Sequence, residues 1–494
     1  MKKTTSILYS ILLSATVLTT GTSCTGFLDR EPSSSANAET AISTTADAQV
    51  VINGIMRMMS SSSYYGRNMF LYADAKGGDL TIYQAGRGND ALYSFNHTPT
   101  SGTYSGFWQT GYDCIMQVNN LLENIDRLEK AGSTGFNYYK GEALTLRALI
   151  YFDLVRLYGK PYNYDKSSYG VPEILTTLDA TARPSRATVE ENYKQIVADL
   201  TEGQTLLASD KKQHNGYIGY YGNLAMQARV YLYMEDYSKA LAAAKEIIDS
   251  KVFTLYTPDN WVASWGKQYG SESIFEIGID TESDLGTTSM GFYLLQYHQL
   301  NNAQGWYLAS DYYLNTLGED STDVRWGVME DDESWVETGV SRLGACTKYM
   351  GGPSLSGDGK ETATAVDIKV IRLSEVYLIA AEAALHTGDA DAAATYLNAI
   401  RCRAQKLEPA TAATVSDDMI LAERSKELFG EGHRYFDELR LNKSITYNDD
   451  FQDVPVSERP KTIDRSFGKT VLPIPQDEIN ANPNIADQQN EAYK

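Results

Sequence analysis

The amino-acid sequence predicts an all-α protein built from paired helices, with long irregular segments between some of them. Apolar residues recur at steps of three and four along several stretches, which is the pattern of amphipathic helices. Between residues 253 and 365 that pattern gives way to Gly, Ser, Asp, Trp and Tyr, and residues 60–106 are similar. Long irregular segments on a rigid scaffold commonly carry binding residues.

Three long helices are predicted from apolar stripes, at residues 107–128, 138–158 and 188–207. Gly159 and Pro161 end the second helix, because neither residue continues a helix well. Thr188 and Glu191 have the spacing of a capping box, in which each side chain accepts a hydrogen bond from the other residue's backbone amide. The third helix is therefore predicted to begin at Thr188.

Two shorter helix pairs share a spacing of small and aromatic residues. The spacing is A-x2-Y-x5-Y-x2-A over residues 228–240 and A-x2-A-x5-A-x2-A over residues 381–393, with a turn at Gly388 and Asp389. This is the spacing of a tetratricopeptide (TPR) helix pair, in which small residues let paired helices approach closely. The two copies start about 150 residues apart, so a simple array with a 34-residue period is not predicted.

The composition excludes some partners and favours others. The chain has 494 residues and a net charge of -21, which repels phosphate backbones and argues against nucleic acid as a partner. The same charge argues against docking on an anionic membrane through a basic patch. Tyrosine is abundant, at 35 residues against 13 Phe. Most tyrosines are expected to pack between helices, but exposed ones suit ligands that are both apolar and hydroxylated, such as sugars.

The N-terminus has the pattern of an export signal. Lys2 and Lys3 precede an apolar run over residues 7–18, and small residues follow up to Cys24. Residues 1–23 are therefore predicted to be a lipoprotein signal peptide, with Cys24 as the lipidated residue and the polar stretch after it as a tether. An ordinary secretory signal with an incidental cysteine is the alternative. No later stretch is apolar and long enough to predict a transmembrane helix.

No enzyme class is indicated by the pattern of reactive residues. Cys114, Cys346 and Cys402 show no metal-ligand spacing and are predicted to be buried free thiols. The carboxylates Glu423, Glu427 and Glu431 are predicted to share a helix face and to pair with Arg424, Arg434 and Arg440. A carboxylate pair for glycoside hydrolysis is the disfavoured alternative, because charged helical runs are usually solvated or paired.

Four stretches, at residues 146–159, 372–383, 423–440 and 472–493, carry more specific sequence. They contain LRA with YFDLVRLYG, RLSEVYLIAAEA, ER-x2-EL-x2-EG-x-R-x2-D-x2-R, and LPIP-x2-EI followed by NP and QN-x2-Y. Each is weakly specific alone, but in this order behind a lipoprotein signal they resemble the SusD/RagB family of Bacteroidetes. Gly430 and Ala492 depart from the family pattern, and these departures concern local geometry only.

The resemblance implies a fold and a role. Members of this family have TPR-type helix pairs that form a right-handed scaffold, with long irregular loops forming a glycan site. The implied protein is an outer-membrane lipoprotein, anchored in lipid through Cys24, that faces the cell exterior. It would bind glycan and deliver it to a SusC-like TonB-dependent transporter, without enzymatic activity. The expected organisation is an N-terminal part at 24–250 and a C-terminal part at 251–494, within one compact unit.

The implied ligand site draws on two stretches of the chain. Residues 301–306 resemble the family's loop that ends in a ligand-stacking aromatic, so Trp306 is the first candidate, supported by Tyr307 or Tyr312. Residues 79–97 resemble the N-terminal ligand loops and offer Asp79, Tyr83, Arg87, Asn96 and His97. The stacking Trp that is often found near position 97 is absent, and His97 is a poorer platform. A packed core or rim position is the alternative for Trp306.

Two other functions are compatible with the sequence. A peptide-binding RagB-like lipoprotein would need a deep cleft that can engage a peptide main chain, and a generic TPR scaffold would have a smooth concave groove. Exposed aromatics rimmed by Asn, Asp and Arg would instead favour glycan binding. No cofactor is predicted. The acidic run from Asp331 to Glu333 is interpreted as a solvated loop, with a structural calcium as the alternative.

Overall fold

The structure is a computed structural model that describes the chain from residue 42 to residue 494 with several short gaps. The described residues are 42–83, 90–280, 283–296, 298–301, 303–334, 339–351, 364–451 and 456–494, with the side chains of 102–105 excepted. The predicted signal peptide at 1–23, Cys24 and Arg87 lie outside the described residues.

Helices dominate the described residues, as the sequence predicts. They are α1 Thr45–Met59, α2 Asn68–Gly77, α3 Ala91–Ser94, α4 Gly102–Lys130, α5 Asn137–Tyr158, α6 Tyr162–Asp165, α7 Val189–Leu207, α8 Tyr220–Tyr233, α9 Tyr237–Ser250, α10 Pro258–Trp261, α11 Met290–Leu294, α12 Asp311–Leu317, α13 Leu373–His386, α14 Ala390–Arg401, α15 Asp417–Glu427, α16 Arg434–Arg440 and α17 Gln476–Ala481. Short 3-10 turns lie at Val262–Gly266, Gly286–Thr288, Val324–Val328, Gly468–Thr470, Pro483–Gln488 and Glu491–Tyr493.

The strands are short and form two-stranded antiparallel sheets. They are β1 Leu80–Ile82, β2 Ser273–Ile277, β3 Tyr307–Ala309, β4 Met329–Glu330, β5 Ala345–Cys346, β6 Ile368–Arg372, β7 Ile445–Thr446 and β8 Thr462–Ile463. The pairs are β1 with β3, β2 with β6, β4 with β5, and β7 with β8. Leu80 lies opposite Ala309 and Ile82 opposite Tyr307, so this pairing joins two distant segments that the sequence assigns to the ligand site.

The long helices pack side by side in a continuous series. Helix α5 contacts α4 and α7, α8 contacts α7 and α9, and α13 contacts α9 and α14. The two copies of the TPR spacing, on α8–α9 and α13–α14, are therefore neighbours although about 150 residues of sequence separate them. The all-α, TPR-like architecture predicted from the sequence is confirmed. The division at residues 250 and 251 stays a prediction.

Most helix boundaries follow the local signals in the sequence. Thr188 and Glu191 form the predicted capping box at the start of α7. Gly388 has φ +87° at the turn between α13 and α14, a conformation that favours glycine. Helix α2, however, lies within a segment predicted to be irregular. All ten of its residues are buried, so it has no polar face and its sequence shows no amphipathic period.

Two predictions about buried polar groups need correction. Cys114 and Cys346 are buried free thiols as predicted, but Cys402, the residue that follows α14, is exposed. Asp332 is buried rather than solvated, and its Oδ2 accepts a hydrogen bond from Arg342 Nη1 at 2.5 Å. The carboxylate of Asp331 accepts from Ser341 Oγ and that of Glu333 contacts His298, so the three acidic groups point to different partners.

Candidate functional site

Strand pairing places two of the predicted ligand residues together. The backbone N–H of Tyr83, just beyond β1, donates to the carbonyl of Trp306, just before β3, at 2.9 Å. Both side chains are half-buried. A Cβ at Gly305 would lie 2.0 Å from Gln296 Nε2, and Gly305 has φ +53°. Glycine at this position therefore lets the loop turn tightly into Trp306.

Trp306 is part of an aromatic cluster that the sequence did not reveal. Its ring meets the Tyr293 ring edge to face, with the centroids 4.9 Å apart and the planes at 87°. The guanidinium carbon of Arg67 lies 4.4 Å from the centroid of Tyr293, and Arg67 Nη1 donates to the Tyr293 hydroxyl at 2.7 Å. We call Trp306, Tyr293 and Arg67 the aromatic platform. All three side chains remain partly accessible to solvent.

Local structure holds the platform in place. Tyr293 belongs to α11, whose start is capped by Ser289 Oγ accepting from the backbone of Phe292. Arg67 Nε donates to Oδ1 of Asn68, a buried residue at the start of α2. Side chains held by such second contacts lose little freedom when a ligand binds. The platform can offer flat apolar surface from its rings and charged donors from its guanidinium.

Asp79 and Tyr307 do not face a ligand in this structure. Asp79 is 1 % exposed, and its Oδ2 accepts a hydrogen bond from Ser425 Oγ at 2.9 Å. Its Oδ1 lies 3.4 Å from Nε of Arg434. Tyr307 is also closed to solvent within the core beside β1. The expectation that these two side chains contact a ligand is corrected, because Asp79, just before β1, and Tyr307, at the start of β3, both have buried side chains.

His97 is also buried inside the protein. Its Nε2 lies 2.9 Å from Lys76 Nζ, and its Nδ1 lies 2.8 Å from the hydroxyl of Tyr493. Burial lowers the pKa of His97 well below its usual value, and the nearby Lys76 adds to this effect. The expectation that His97 contacts a ligand is therefore corrected. Asn96, the residue before it, is exposed and stays a candidate.

Tyr312 is 48 % exposed on α12, and its hydroxyl accepts a hydrogen bond from Arg434 Nη2 at 2.9 Å. It is thus held by the same arginine that lies beside Asp79. Trp261 and Trp265 are buried and pack edge to face, with their ring centroids 5.8 Å apart. Among the described residues, no group of three or more His, Cys, Asp or Glu side chains could hold a metal ion.

Lys76 is an unusual buried lysine whose removal should stabilise the protein. Its Nζ lies 3.3 Å from the ring centroid of Phe95, and burial lowers its pKa well below 10.5, with further lowering from Arg459 and Lys469. Between that lowered pKa and 10.5, unfolding takes up a proton, so wild-type stability rises with pH. We expect Lys76→Met to raise the free energy of unfolding at pH 7 and to reduce its slope between pH 7 and 10.

Urea unfolding at several pH values, followed by circular dichroism, measures this effect. The Lys76 contribution to the slope is at most about 1.4 kcal/mol per pH unit. Lys130→Met, at an exposed lysine, serves as the control and should leave the slope unchanged. An unchanged slope in Lys76→Met would contradict a lowered pKa of Lys76.

Solved structures with the same architecture identify the family. A SusD superfamily protein of Bacteroides thetaiotaomicron is 33 % identical, with a TM-score of 0.79, and the match covers 90 % of this chain and 99 % of that one. This chain belongs to the SusD family. A Bacteroides vulgatus protein proposed to bind sugar is 31 % identical with a TM-score of 0.82, and the match covers 92 % of this chain and all of that one.

Two family models and a curated relative also place this chain in the SusD family. A model described as "SusD family" matches residues 343–493, and one described as "Starch-binding associating with outer membrane" matches residues 26–232. The SusD-like protein P38 of Formosa agariphila is 26 % identical, and the match covers 90 % of this chain and 92 % of that protein. In this SusD-family chain, none of the described helices has the length and apolar character needed to cross a bilayer.

The carboxylates of the SusD-family motif at residues 423–440 lie in the core. Glu423, Glu427 and Glu431 are closed to solvent, and α15 ends at Glu427, so the three do not share one helix. Arg372 donates to Glu427 Oε1 at 3.0 Å and to Glu431 Oε2 at 2.7 Å. The predicted partners are wrong, because Arg424, Arg434 and Arg440 pair instead with Asp437, Glu438 and Glu382. This motif is a structural ion-pair network rather than a site open to substrate.

Proposed function

We propose that this SusD-family protein is a lipoprotein on the cell surface that binds oligosaccharide or polysaccharide and delivers it to a SusC-like TonB-dependent transporter. The observation that carries the proposal is the aromatic platform, in which two partly exposed rings meet at 87° beside a guanidinium. A relative proposed to bind sugar and the family description that names starch binding at the outer membrane support it. The protein is not proposed to act as an enzyme.

The chemistry of the platform suits a sugar. The C–H face of a pyranose is apolar and can lie on the Trp306 indole, while Arg67 can donate hydrogen bonds to hydroxyls around the same ring. Tyr83 borders the platform through its backbone bond to Trp306. Asn301 and Gln304, on the loop before Trp306, are exposed and carry amides that can bind sugar hydroxyls. Arg87 and Asn96 remain proposed ligand contacts.

Tethering at the membrane would compensate for weak binding at such a site. Water competes strongly for sugar hydroxyls, so we expect single-site affinities on the order of micromolar to millimolar. An anchor at Cys24 would hold the site close to the transporter and raise the local ligand concentration. The acidic chain, with its net charge of -21, would not be drawn to anionic lipid without that anchor.

Cys24→Ser is expected to abolish lipidation and to release the protein from the outer membrane. A single lipid chain binds membranes only marginally, so stable attachment depends on a multi-chain anchor at this residue. Metabolic labelling with a palmitate analogue, followed by fractionation, would measure both effects. Cys402→Ser is the control, since Cys402 is an exposed thiol elsewhere on the chain. Label retained in Cys24→Ser would exclude this anchor.

The direct test of the function is a binding screen. The soluble mature chain, residues 25–494, would be titrated against plant, host and microbial polysaccharides by affinity electrophoresis and calorimetry. Binding to one polysaccharide class without its hydrolysis is the expected result. Binding to no glycan would favour the peptide-binding alternative. A pull-down of a TonB-dependent transporter with the full lipoprotein tests the delivery step separately.

A further inference from the structure

A second concave surface lies away from the aromatic platform and shares no residue with it. This cleft has a volume of about 590 Å³ and opens between α4, the segment 172–184 and α17. Its apolar walls are formed by Met116, Pro172, Ile174, Leu178, Pro184, Pro475 and Ala481. At the cleft and beside it, Leu178 is 38 % exposed and Leu175 is 36 % exposed. Large apolar side chains grouped at a cleft commonly mark a surface that a partner covers.

Three carboxylates, Asp113, Asp477 and Glu478, lie among the polar residues that line this cleft. Asp113 and Asp477 are exposed, and neither forms an ion pair with another described residue. Arg183 is the cation among the lining residues, and its guanidinium donates to the carbonyls of Ala180 and Ala182. With three carboxylates against this one arginine, the lining residues carry a formal net charge of -2 between apolar walls. Charge of this kind favours a cationic occupant.

A buried acceptor in the same cleft lacks a donor. Asn482 is 3 % exposed, and its Nδ2 donates to the Pro184 carbonyl at 2.8 Å and to Glu478 Oε1 at 3.1 Å. Its Oδ1 has no hydrogen-bond partner among the described residues. A buried acceptor without a donor costs about 1–3 kcal/mol, so a donor group supplied to this part of the cleft would be stabilising.

The aromatic residues of the cleft do not offer a platform for sugar. Trp108 is 5 % exposed, and its Nε1 donates to Glu478 Oε2 at 3.3 Å. Tyr112 is half-buried, and its hydroxyl donates to the carbonyl of Pro172. Without an open ring face, the stacking that favours sugar binding is missing here. The chemistry of this cleft therefore differs from that of the aromatic platform.

We propose that this cleft binds an extended segment of a partner protein in which lysine or arginine alternates with apolar residues. The apolar side chains would pack on Leu178 and Met116, and the cations would pair with Asp113 and Asp477. A backbone N–H of an extended segment is the kind of donor that Asn482 Oδ1 lacks among the described residues. The inference does not rest on glycan binding, because the two surfaces share no residue.

The test uses fluorescence anisotropy with a fluorescein-labelled, N-acetylated octapeptide of alternating leucine and lysine. Two further probes replace every lysine by glutamate or every leucine by serine. The double variant Asp113→Asn/Asp477→Asn is expected to bind the leucine–lysine peptide about tenfold more weakly than wild type, and Leu178→Ser should also weaken it. Wild type should bind both other probes more weakly than the leucine–lysine peptide.

The control is Asp259→Asn/Asp391→Asn, which removes the same charge at two exposed positions that do not line the cleft. It should bind the peptide within about twofold of wild type, which excludes attraction to the overall negative charge. Circular dichroism melting confirms that each variant is folded. Equal loss in both double variants, or no binding of the leucine–lysine peptide to wild type, would overturn the proposal whether or not the protein binds glycan.

Discussion

Trp306→Ala is expected to reduce the affinity of the protein for its glycan by roughly thirtyfold, equivalent to about 2 kcal/mol. The indole supplies the larger ring of the aromatic platform and supports Tyr293 edge to face at 4.9 Å. Its removal would take away the stacking surface and also loosen the neighbouring ring. Calorimetric titration of the mature chain with the polysaccharide found in the screen measures the change.

Matched variants separate stacking from general loss of structure. Trp306→Phe keeps a ring and should lose less affinity than Trp306→Ala. Arg67→Lys keeps the charge but not the planar fork, so we expect a smaller loss that reflects its hydrogen bonds. Trp326→Ala, at another half-buried tryptophan whose Nε1 donates to the Asp320 carbonyl, is the control. Equal affinity of Trp306→Ala and wild type would remove the aromatic platform as the glycan site.

Glu427→Gln is expected to lower the free energy of unfolding by about 3–5 kcal/mol. Glu427 is fully buried and pairs with the guanidinium groups of Arg372 and Arg403, while Arg325 Nη1 lies 3.6 Å away. Although burial opposes its charge, these cations hold the pKa of Glu427 well below its usual value. Glutamine has the same shape but no charge, so the variant removes one of the carboxylates that compensate these buried cations.

Urea unfolding followed by circular dichroism measures this loss, with Glu408→Gln at an exposed glutamate as the control. Because the folded pKa is lowered, the stabilisation by Glu427 is present above its unfolded pKa near 4.5 and is lost as the pH falls below it. The stability of Glu427→Gln should therefore depend less on pH in this acidic range. A loss below about 1 kcal/mol would mean that the neighbouring acids Glu431 and Glu423 compensate for it.

Local sequence signals predicted the long helices well. The stripe over residues 107–128 became α4, and the capping box at Thr188 begins α7. Helix α2 escaped prediction because it is buried on all sides and has no polar face to give a period. Trp306 was singled out through a family resemblance in its loop, whereas Tyr293 and Arg67 carry no local signal and were missed.

Distant contacts decided which candidate residues could face a ligand. Asp79 and His97 were selected from a single stretch of sequence, yet one binds Ser425 and the other Tyr493. These partners are 346 and 396 residues away along the chain, so no spacing within the stretch could reveal them. Burial depends on all the elements that pack around a side chain, and only the folded chain determines it.

By itself, the sequence determined the helical class, the TPR spacing, the predicted export signal and the resemblance to the SusD family, because each depends on residues close together in the chain. Only the tertiary structure decided that α9 packs on α13, that Arg67 meets Tyr293 across 226 residues, and that the acidic motif at residues 423–431 is a core ion-pair network. These features depend on side chains that come into contact only when distant segments pack, so periodicity along the chain cannot predict them.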